Sequence, residues 1–147
     1  MIFKNILVAI DESQQAAAAL DLAIELSRAV SASLTIVHAI DPARIAAASA
    51  DTMAANAVEI ELDELQTAGR DLLEKAVARA KAAGLEAMSM LRDGIPAATI
   101  LDTARRSNCD LIVIGTHGRH GVARMFVGSC AESVLRDSTV PVLIKRS

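Results

Sequence analysis

Five short apolar runs recur along this chain, and the segments between them carry apolar residues at helical spacing. A short continuous apolar run is typical of a strand buried on both faces, because helices then cover both sides of the sheet. Regular alternation of such strands with helices predicts an α/β fold built on a parallel sheet. The predicted strands are Ile6–Ile10, Leu34–Ile40, Leu85–Leu91, Asp110–Ile114 and Thr139–Ile144.

Apolar residues at helical spacing predict four helices between these runs. The clearest boundary signals are a serine cap, a glycine stop and a proline suited to a first helical turn: Ser13, Gly84 and Pro96. The second helix is predicted to begin at about Val58. Residues 42 to about 56 are rich in alanine and serine with little pattern, so they are interpreted as a loop, with or without a helical turn.

Composition narrows the class of protein. The chain of 147 residues is expected to form one domain, residues 1–147, and 52% apolar residues supply its core. A net charge of -3 argues against sequence-independent binding of nucleic acid, which needs a basic face. No apolar run resembles a secretory segment or approaches the length of a membrane span, so the expected location is the cytoplasm. Cys109 and Cys130 are therefore interpreted as reduced thiols.

The most informative motif follows the fourth predicted strand. It reads Gly115-Thr-His-Gly118, then nine residues, then Gly128-Ser129 at a predicted helix start. Glycine lets the backbone approach a ligand closely, and a helix start offers free N–H groups and a hydroxyl to an anion. The pattern predicts a phosphate cradle. The alternative is an ordinary strand-to-helix connection whose glycines serve only the turns.

Three predicted strands end in segments that suit a ligand: Asp11, His38–Asp41 and Gly115–Gly118. The carboxyl ends of parallel strands share one edge of the sheet, where ligands bind at a reversal of strand order. Asp11 is interpreted either as an acceptor for a ribose hydroxyl or adenine amino group, or as a favourable charge near a helix start. His38 is interpreted as a packed, hydrogen-bonded side chain, and Ala39 and Ile40 as residues that offer either backbone groups or an apolar wall to a flat base.

Charged and nucleophilic residues cluster around the glycines. Arg119 and His117 are candidate partners of phosphates, the alternative being a solvated loop. No carboxylate or cysteine accompanies His117 and His120 at a ligand spacing, so no metal site built from protein side chains is expected. Ser129 lacks the Gly-x-Ser-x-Gly context of a nucleophile and suits a phosphate contact. For Cys130 the alternatives are a somewhat acidic thiol at a helix start and a packing role.

These residues resemble the universal stress protein family, in its nucleotide-binding branch. The family signature is glycine, two residues, glycine, nine residues, and glycine followed by serine or threonine. Gly115, Gly118, Gly128 and Ser129 satisfy it, and Ile114 stands where the family often has methionine. The likeness extends over Lys4–Asp11, Val37–Asp41, Asp93–Pro96, Asp110–Gly118 and Val140–Ile144.

The resemblance implies a flavodoxin-like or Rossmann-like three-layer sandwich whose five parallel strands follow the order 3-2-1-4-5. It implies a site for ATP, or AMP or ADP, with Mg²⁺ or Mn²⁺ held by the phosphates. Ala9, Ile10 and Asp11 would receive the adenosine end, with Ala39 lining the adenine pocket. The phosphate end would lie against Ile114, Gly115, His117, Gly118, Arg119, Gly128, Ser129 and Cys130. A homodimer built on the C-terminal edge strand, or a tetramer, is also implied.

The expected function is that of an ATP-binding regulator of a protein partner such as a transporter, a kinase or a stress-pathway component. The chain has no P-loop Gly-Lys-Ser/Thr and no Gly-x-Gly-x-x-Gly signature, so it is not expected to be an enzyme. Two alternatives stay open. One is slow ATP hydrolysis or nucleotidyl or phosphoryl transfer, with Asp11, His117 and Arg119 around the phosphates. The other is an interaction module whose pocket stays empty or holds AMP.

Overall fold

A computed structural model describes residues 2–43, 55–116 and 127–146 of the chain. Strands and helices alternate throughout these residues, as the apolar runs predict. The strands are β1 (Asn5–Ala9), β2 (Ser33–Ile40), β3 (Ala87–Asp93), β4 (Leu111–Gly115) and β5 (Val142–Lys145). The helices are α1 (Gln14–Val30), α2 (Ala55–Ala82), α3 (Pro96–Arg106) and α4 (Ser129–Asp137).

The five strands form one parallel sheet in the order β3-β2-β1-β4-β5. This order is the one that the family resemblance implies, and the Rossmann-like fold is thereby confirmed. The chain runs outward from β1 to β3 and then crosses to β4 on the other side of β1. The strand order therefore reverses between β1 and β4, where their carboxyl ends lie side by side.

Helices cover both faces of the sheet, and each face has its own aliphatic core. On one face α1 and α2 pack against residues of the three central strands that include Ile6, Val8, Leu34, Ile36 and Val113. On the other face α3 and α4 pack against residues that include Leu7, Val37, Ile112 and Ile114. Because successive side chains of a strand point to opposite faces, a run buried on both faces has no polar alternation.

The starts of β3 and α2 differ from the sequence prediction. β3 begins at Ala87 rather than at Leu85, because the Leu85 N–H donates to the Ala80 carbonyl at 2.9 Å and so belongs to the end of α2. Gly84 has φ +84°, which confirms it as the helix stop. α2 begins at Ala55, ahead of the predicted Val58. Most of the predicted loop, residues 44–54, lies outside the described residues.

The last strand also begins later than predicted. β5 starts at Val142, and Pro141 precedes it with its carbonyl accepting from the Ile112 N–H at 3.0 Å. β5 lies at the edge of the sheet, where a proline without an N–H group is tolerated. Within the described ranges, no helix has both the length and the apolar character needed to cross a bilayer.

Candidate functional site

The carboxyl edge of the sheet brings the ends of β1, β2 and β4 together. β1 lies between the other two strands, with Val8 level with Val113 of β4 and Ala9 level with Val37 of β2. Ile10 and Asp11 therefore emerge beside Thr116, which continues β4. The strand order reverses at this point, and in open α/β sheets the crevice that binds ligands lies at such a reversal.

Asp11 holds the entrance to α1. Its Oδ1 accepts from the Ser13 N–H at 2.8 Å, and the Ser13 hydroxyl in turn accepts from the Ala16 N–H at 3.1 Å. The structural role proposed for Asp11, at a helix start, is therefore present. Its other oxygen, Oδ2, makes no hydrogen bond within the described part of the chain, and it remains an acceptor for a ligand donor.

His38 is packed and hydrogen-bonded, which confirms the sequence interpretation. The side chain is 7% exposed, and Nδ1 lies 2.8 Å from the Ile10 carbonyl oxygen. A carbonyl oxygen only accepts, so Nδ1 carries the proton. The next residue, Ala39, is half-buried at the end of β2 beside this contact.

Gly115 is explained by its packing against α1. A Cβ at this position would lie 2.9 Å from both the carbonyl carbon and the carbonyl oxygen of Gln15, in the first turn of that helix. Such an approach is closer than van der Waals contact allows. Among the described residues, the neighbour that requires a glycine here is therefore protein backbone, whereas the sequence motif suggested close approach to a ligand.

α4 begins without a side-chain cap. Gly128 is its N-cap, and the first intrahelical bond runs from the Glu132 N–H to the Gly128 carbonyl at 2.9 Å. The N–H groups of Ser129, Cys130 and Ala131 precede that bond, and among the described residues they have no acceptor, so they can donate to water or a ligand. The helix terminus also concentrates positive partial charge, and both properties favour an anion.

Thr116 fastens the start of α4 to the sheet. Its carbonyl accepts from the Gly128 N–H at 2.5 Å, and its own N–H donates to the Lys145 carbonyl of β5 at 3.2 Å. Thr116 is 4% exposed. The end of β4 and the start of α4 are thus joined directly by a hydrogen bond, although eleven residues separate Thr116 from Gly128 in the sequence.

The thiol of Cys130 is not acidic. Burial raises its pKa to about 11, and the carboxylates of Asp11 and Asp41 add to the shift. Of the two alternatives for Cys130, the acidic thiol is therefore contradicted, because desolvation and two carboxylates outweigh the favourable helix terminus. The thiol is neutral at physiological pH, and its electrostatic coupling to both aspartates reflects the closeness of α4 to the ends of β1 and β2.

Asp41 ends the segment His38–Asp41 that the sequence placed at this edge, but it was given no role of its own. Its Oδ1 accepts from the Ala43 N–H at 2.9 Å, as Asp11 accepts from a backbone N–H two residues on. The sequence signal that could have singled out Asp41 was its position, because Asp41, like Asp11, directly follows a buried apolar run. Two adjacent strands therefore end in carboxylates that face the start of α4.

The remaining predicted phosphate contacts, His117, Gly118 and Arg119, lie outside the described residues, as does His120. The described residues contain no group of three or more His, Cys, Asp or Glu side chains that could hold a metal ion. The described part of the crevice offers backbone N–H groups and carboxylates, which suit a ligand that carries both an anion and hydrogen-bond donors.

Known proteins resemble this chain over its whole length. The model of the universal stress protein family matches residues 2–146. The chain belongs to the universal stress protein family. Universal stress protein YxiE of Bacillus subtilis is 35% identical over 148 residues, which cover 98% of this chain and 99% of that protein.

Two solved structures extend the comparison. The hypothetical protein MJ0577 superposes with a TM-score of 0.85 at 22% identity, covering 100% of this chain and 98% of its own, which is a likeness of fold. A universal stress protein solved in complex with cAMP superposes with a TM-score of 0.72 at 30% identity, and the match covers 98% of this chain and 97% of that one.

Proposed function

We propose that this universal stress protein binds ATP in the crevice between β1 and β4 and acts as a nucleotide-dependent regulator. The observation that carries the proposal is the uncapped start of α4, fastened by Thr116 to the end of β4 at the reversal of strand order. A phosphate group suits that helix start because three N–H groups lack intrahelical acceptors there. The 30% identical relative in complex with cAMP supports an adenine nucleotide.

The proposed orientation follows from the chemistry of the two sides of the crevice. Carboxylates and open backbone groups at the ends of β1 and β2 suit the hydroxyl and amino donors of adenosine. Helix α4 on the other side suits the phosphates. We therefore assign Ala9, Ile10, Asp11 and Ala39 to adenosine, and Ile114, Gly115, His117, Gly118, Arg119, Gly128, Ser129 and Cys130 to the phosphates. Mg²⁺ or Mn²⁺ would bind phosphate oxygens and screen their charge from the nearby aspartates.

Regulation rather than catalysis is proposed because the sequence lacks the P-loop lysine and the nucleophile motif. The further proposals are a cytoplasmic location, a homodimer and a protein partner whose contact depends on the nucleotide. Mass spectrometry of the ligand released from freshly purified protein distinguishes the alternatives. Recovered ATP supports the regulator, ADP formed over many turnovers supports slow hydrolysis, and an empty pocket or AMP supports an interaction module.

The site itself is tested by calorimetric titration of Gly128→Val with Mg·ATP. The branched side chain would occupy the space in front of the first turn of α4, and each charge-assisted hydrogen bond lost costs about 10- to 100-fold in affinity. We expect ATP binding to be abolished while the circular dichroism of the fold is kept. Ala98→Val places the same branched side chain at an exposed position of α3 and is the matched control. Unaltered affinity in Gly128→Val contradicts the assignment.

A further inference from the structure

The hydrogen-bond ladder between β1 and β2 ends in an unusual way. In β2, odd-numbered residues direct their backbone groups toward β1, since the Val37 carbonyl accepts from the Ile10 N–H at 2.9 Å. Even-numbered residues face β3, since the Ile40 carbonyl accepts from the Gly94 N–H at 3.0 Å. The next regular rung toward β1 would join the Ala39 N–H to the Ile10 carbonyl.

That rung is replaced by a side chain. The Nδ1 of His38 donates to the Ile10 carbonyl at 2.8 Å, and no hydrogen bond joins Ala39 to Ile10 or to the following described residues Asp11–Ala16. The N–H and the C=O of Ala39 consequently face the crevice without a partner on the β1 side. A peptide edge that presents one donor beside one acceptor is the complement of the Watson–Crick edge of adenine.

α2 holds the imidazole in this position. A Cβ at Gly69 would lie 3.1 Å from Cδ2 of His38 and 2.7 Å from Cδ1 of Leu91, so the absence of a side chain at Gly69 lets α2 lie close over the ring. His38 itself is 7% exposed. The ring is therefore confined between α2 and the end of β1, with little freedom to rotate away from Ile10.

We propose that His38 is a positioning residue for the nucleotide site, which occupies the Ile10 carbonyl and thereby keeps the peptide edge of Ala39 open for the base. The proposal deepens the function proposed above and rests on it for the identity of the ligand. It assigns selection for a 6-aminopurine to the end of β2. Hypoxanthine reverses the donor and the acceptor along the same edge, so it leaves both groups of Ala39 mismatched.

Amide hydrogen exchange measured by NMR tests, without any ligand, whether His38 keeps the Ala39 amide unpaired. In the wild type we expect the Ala39 amide to exchange much faster than its neighbour in the ladder, Ile10. His38→Leu frees the Ile10 carbonyl, so the Ala39 amide should pair with it and exchange at least about tenfold more slowly. His38→Asn keeps an N–H donor at the δ position, so its Ala39 amide should exchange at the wild-type rate. An Ala39 amide protected as strongly as Ile10 in the wild type would overturn the proposal.

Titrations with ATP, ITP and inorganic tripolyphosphate test whether His38 contributes to the binding and selection of the base. In His38→Leu the ATP affinity should fall about tenfold, because one or two hydrogen bonds to the base are lost. The preference for ATP over ITP should shrink as well. Tripolyphosphate, which reports only the phosphate side, should bind unchanged. His38→Asn should retain the wild-type ATP affinity within about threefold.

The outcomes separate the two proposals. If the wild type binds no ATP, the proposed function fails while the exchange rates still decide the role of His38 in the ladder. If the wild type binds ATP and His38→Leu binds it equally well with the same preference over ITP, His38 is not a positioning residue. A parallel fall in tripolyphosphate binding would also overturn the proposal, because it would show a general loss of structure.

Discussion

Glycines of the signature motif are present for different physical reasons. Gly115 lies against the backbone of Gln15, and no side chain fits there. Gly128 has φ -63° and ψ 158°, a conformation open to any residue, so its backbone does not require glycine. The first glycine thus supports the fold, and the second leaves the start of α4 uncovered.

Gly115→Ala and Gly128→Ala should therefore differ in their effect on stability. The added methyl group in Gly115→Ala meets rigid backbone at 2.9 Å, so the free energy of unfolding should fall by about 1–3 kcal/mol. Gly128→Ala should cost about 0.5 kcal/mol, the difference between the two residues at an N-cap. Urea denaturation of both variants measures this contrast. Equal stability of the two would contradict the packing argument.

At the scale of secondary-structure elements, Asp110 joins β4 to the start of β1. Its carboxylate accepts from the Lys4 N–H at 2.8 Å and from the Asn5 N–H at 3.1 Å, and its own N–H donates to the Asn5 carbonyl at 2.8 Å. These bonds lie at the amino edge of the sheet, opposite the crevice. Asp110 therefore belongs to the fold, although the family resemblance extends through it.

Asp110→Ala should reduce the free energy of unfolding by about 1–3 kcal/mol, because it leaves two backbone donors without their acceptor. Asp110→Asn keeps one carbonyl oxygen and should lose less. Since the change lies at the other edge of the sheet, the ATP affinity of the folded protein should stay at the wild-type value. Urea denaturation and calorimetric titration give the two quantities. A lower ATP affinity of the folded variant would contradict the assignment of Asp110 to the fold alone.

At the scale of the whole molecule, the edges of the sheet determine how two copies can meet. β5 is an edge strand of four residues, Val142–Lys145, with β4 as its only neighbour among the described elements. Leu143 is 37% exposed on it. An edge strand presents unpaired N–H and C=O groups that a second copy can satisfy, which supports the proposed homodimer.

Light scattering after size-exclusion chromatography should give twice the chain mass of 15.4 kDa for the wild type. Leu143→Lys places a charge on the proposed interface and should produce monomers. Met88→Lys is the matched control, because Met88 is 69% exposed on β3 at the opposite edge of the sheet and its change should leave the dimer intact. A monomeric wild type, or dissociation in the control alone, would contradict the assignment of β5.

Patterns local in sequence predicted the local features well. The apolar runs located four of the five strands to within two residues and the start of β5 to within three, because burial on both faces excludes polar side chains from them. Likewise the position of His38 inside β2 correctly indicated a packed side chain. Cys130 shows the limit of this reasoning. Its place at a helix start left an acidic thiol open as an alternative to a packing role, whereas burial and carboxylates from distant parts of the chain raise its pKa to about 11.

The sequence by itself determined the alternation of strands and helices, and its resemblance to a family implied the strand order, because both are encoded in residue patterns along the chain. Only the tertiary structure decided what each residue of the crevice contacts. Two of these contacts join segments that are distant in sequence: the packing of Gly115 on Gln15 and the bond from His38 to Ile10. The backbone edge of Ala39 is open toward β1 because of the second contact. Such contacts depend on the register of strands and the seating of helices, which no local pattern records.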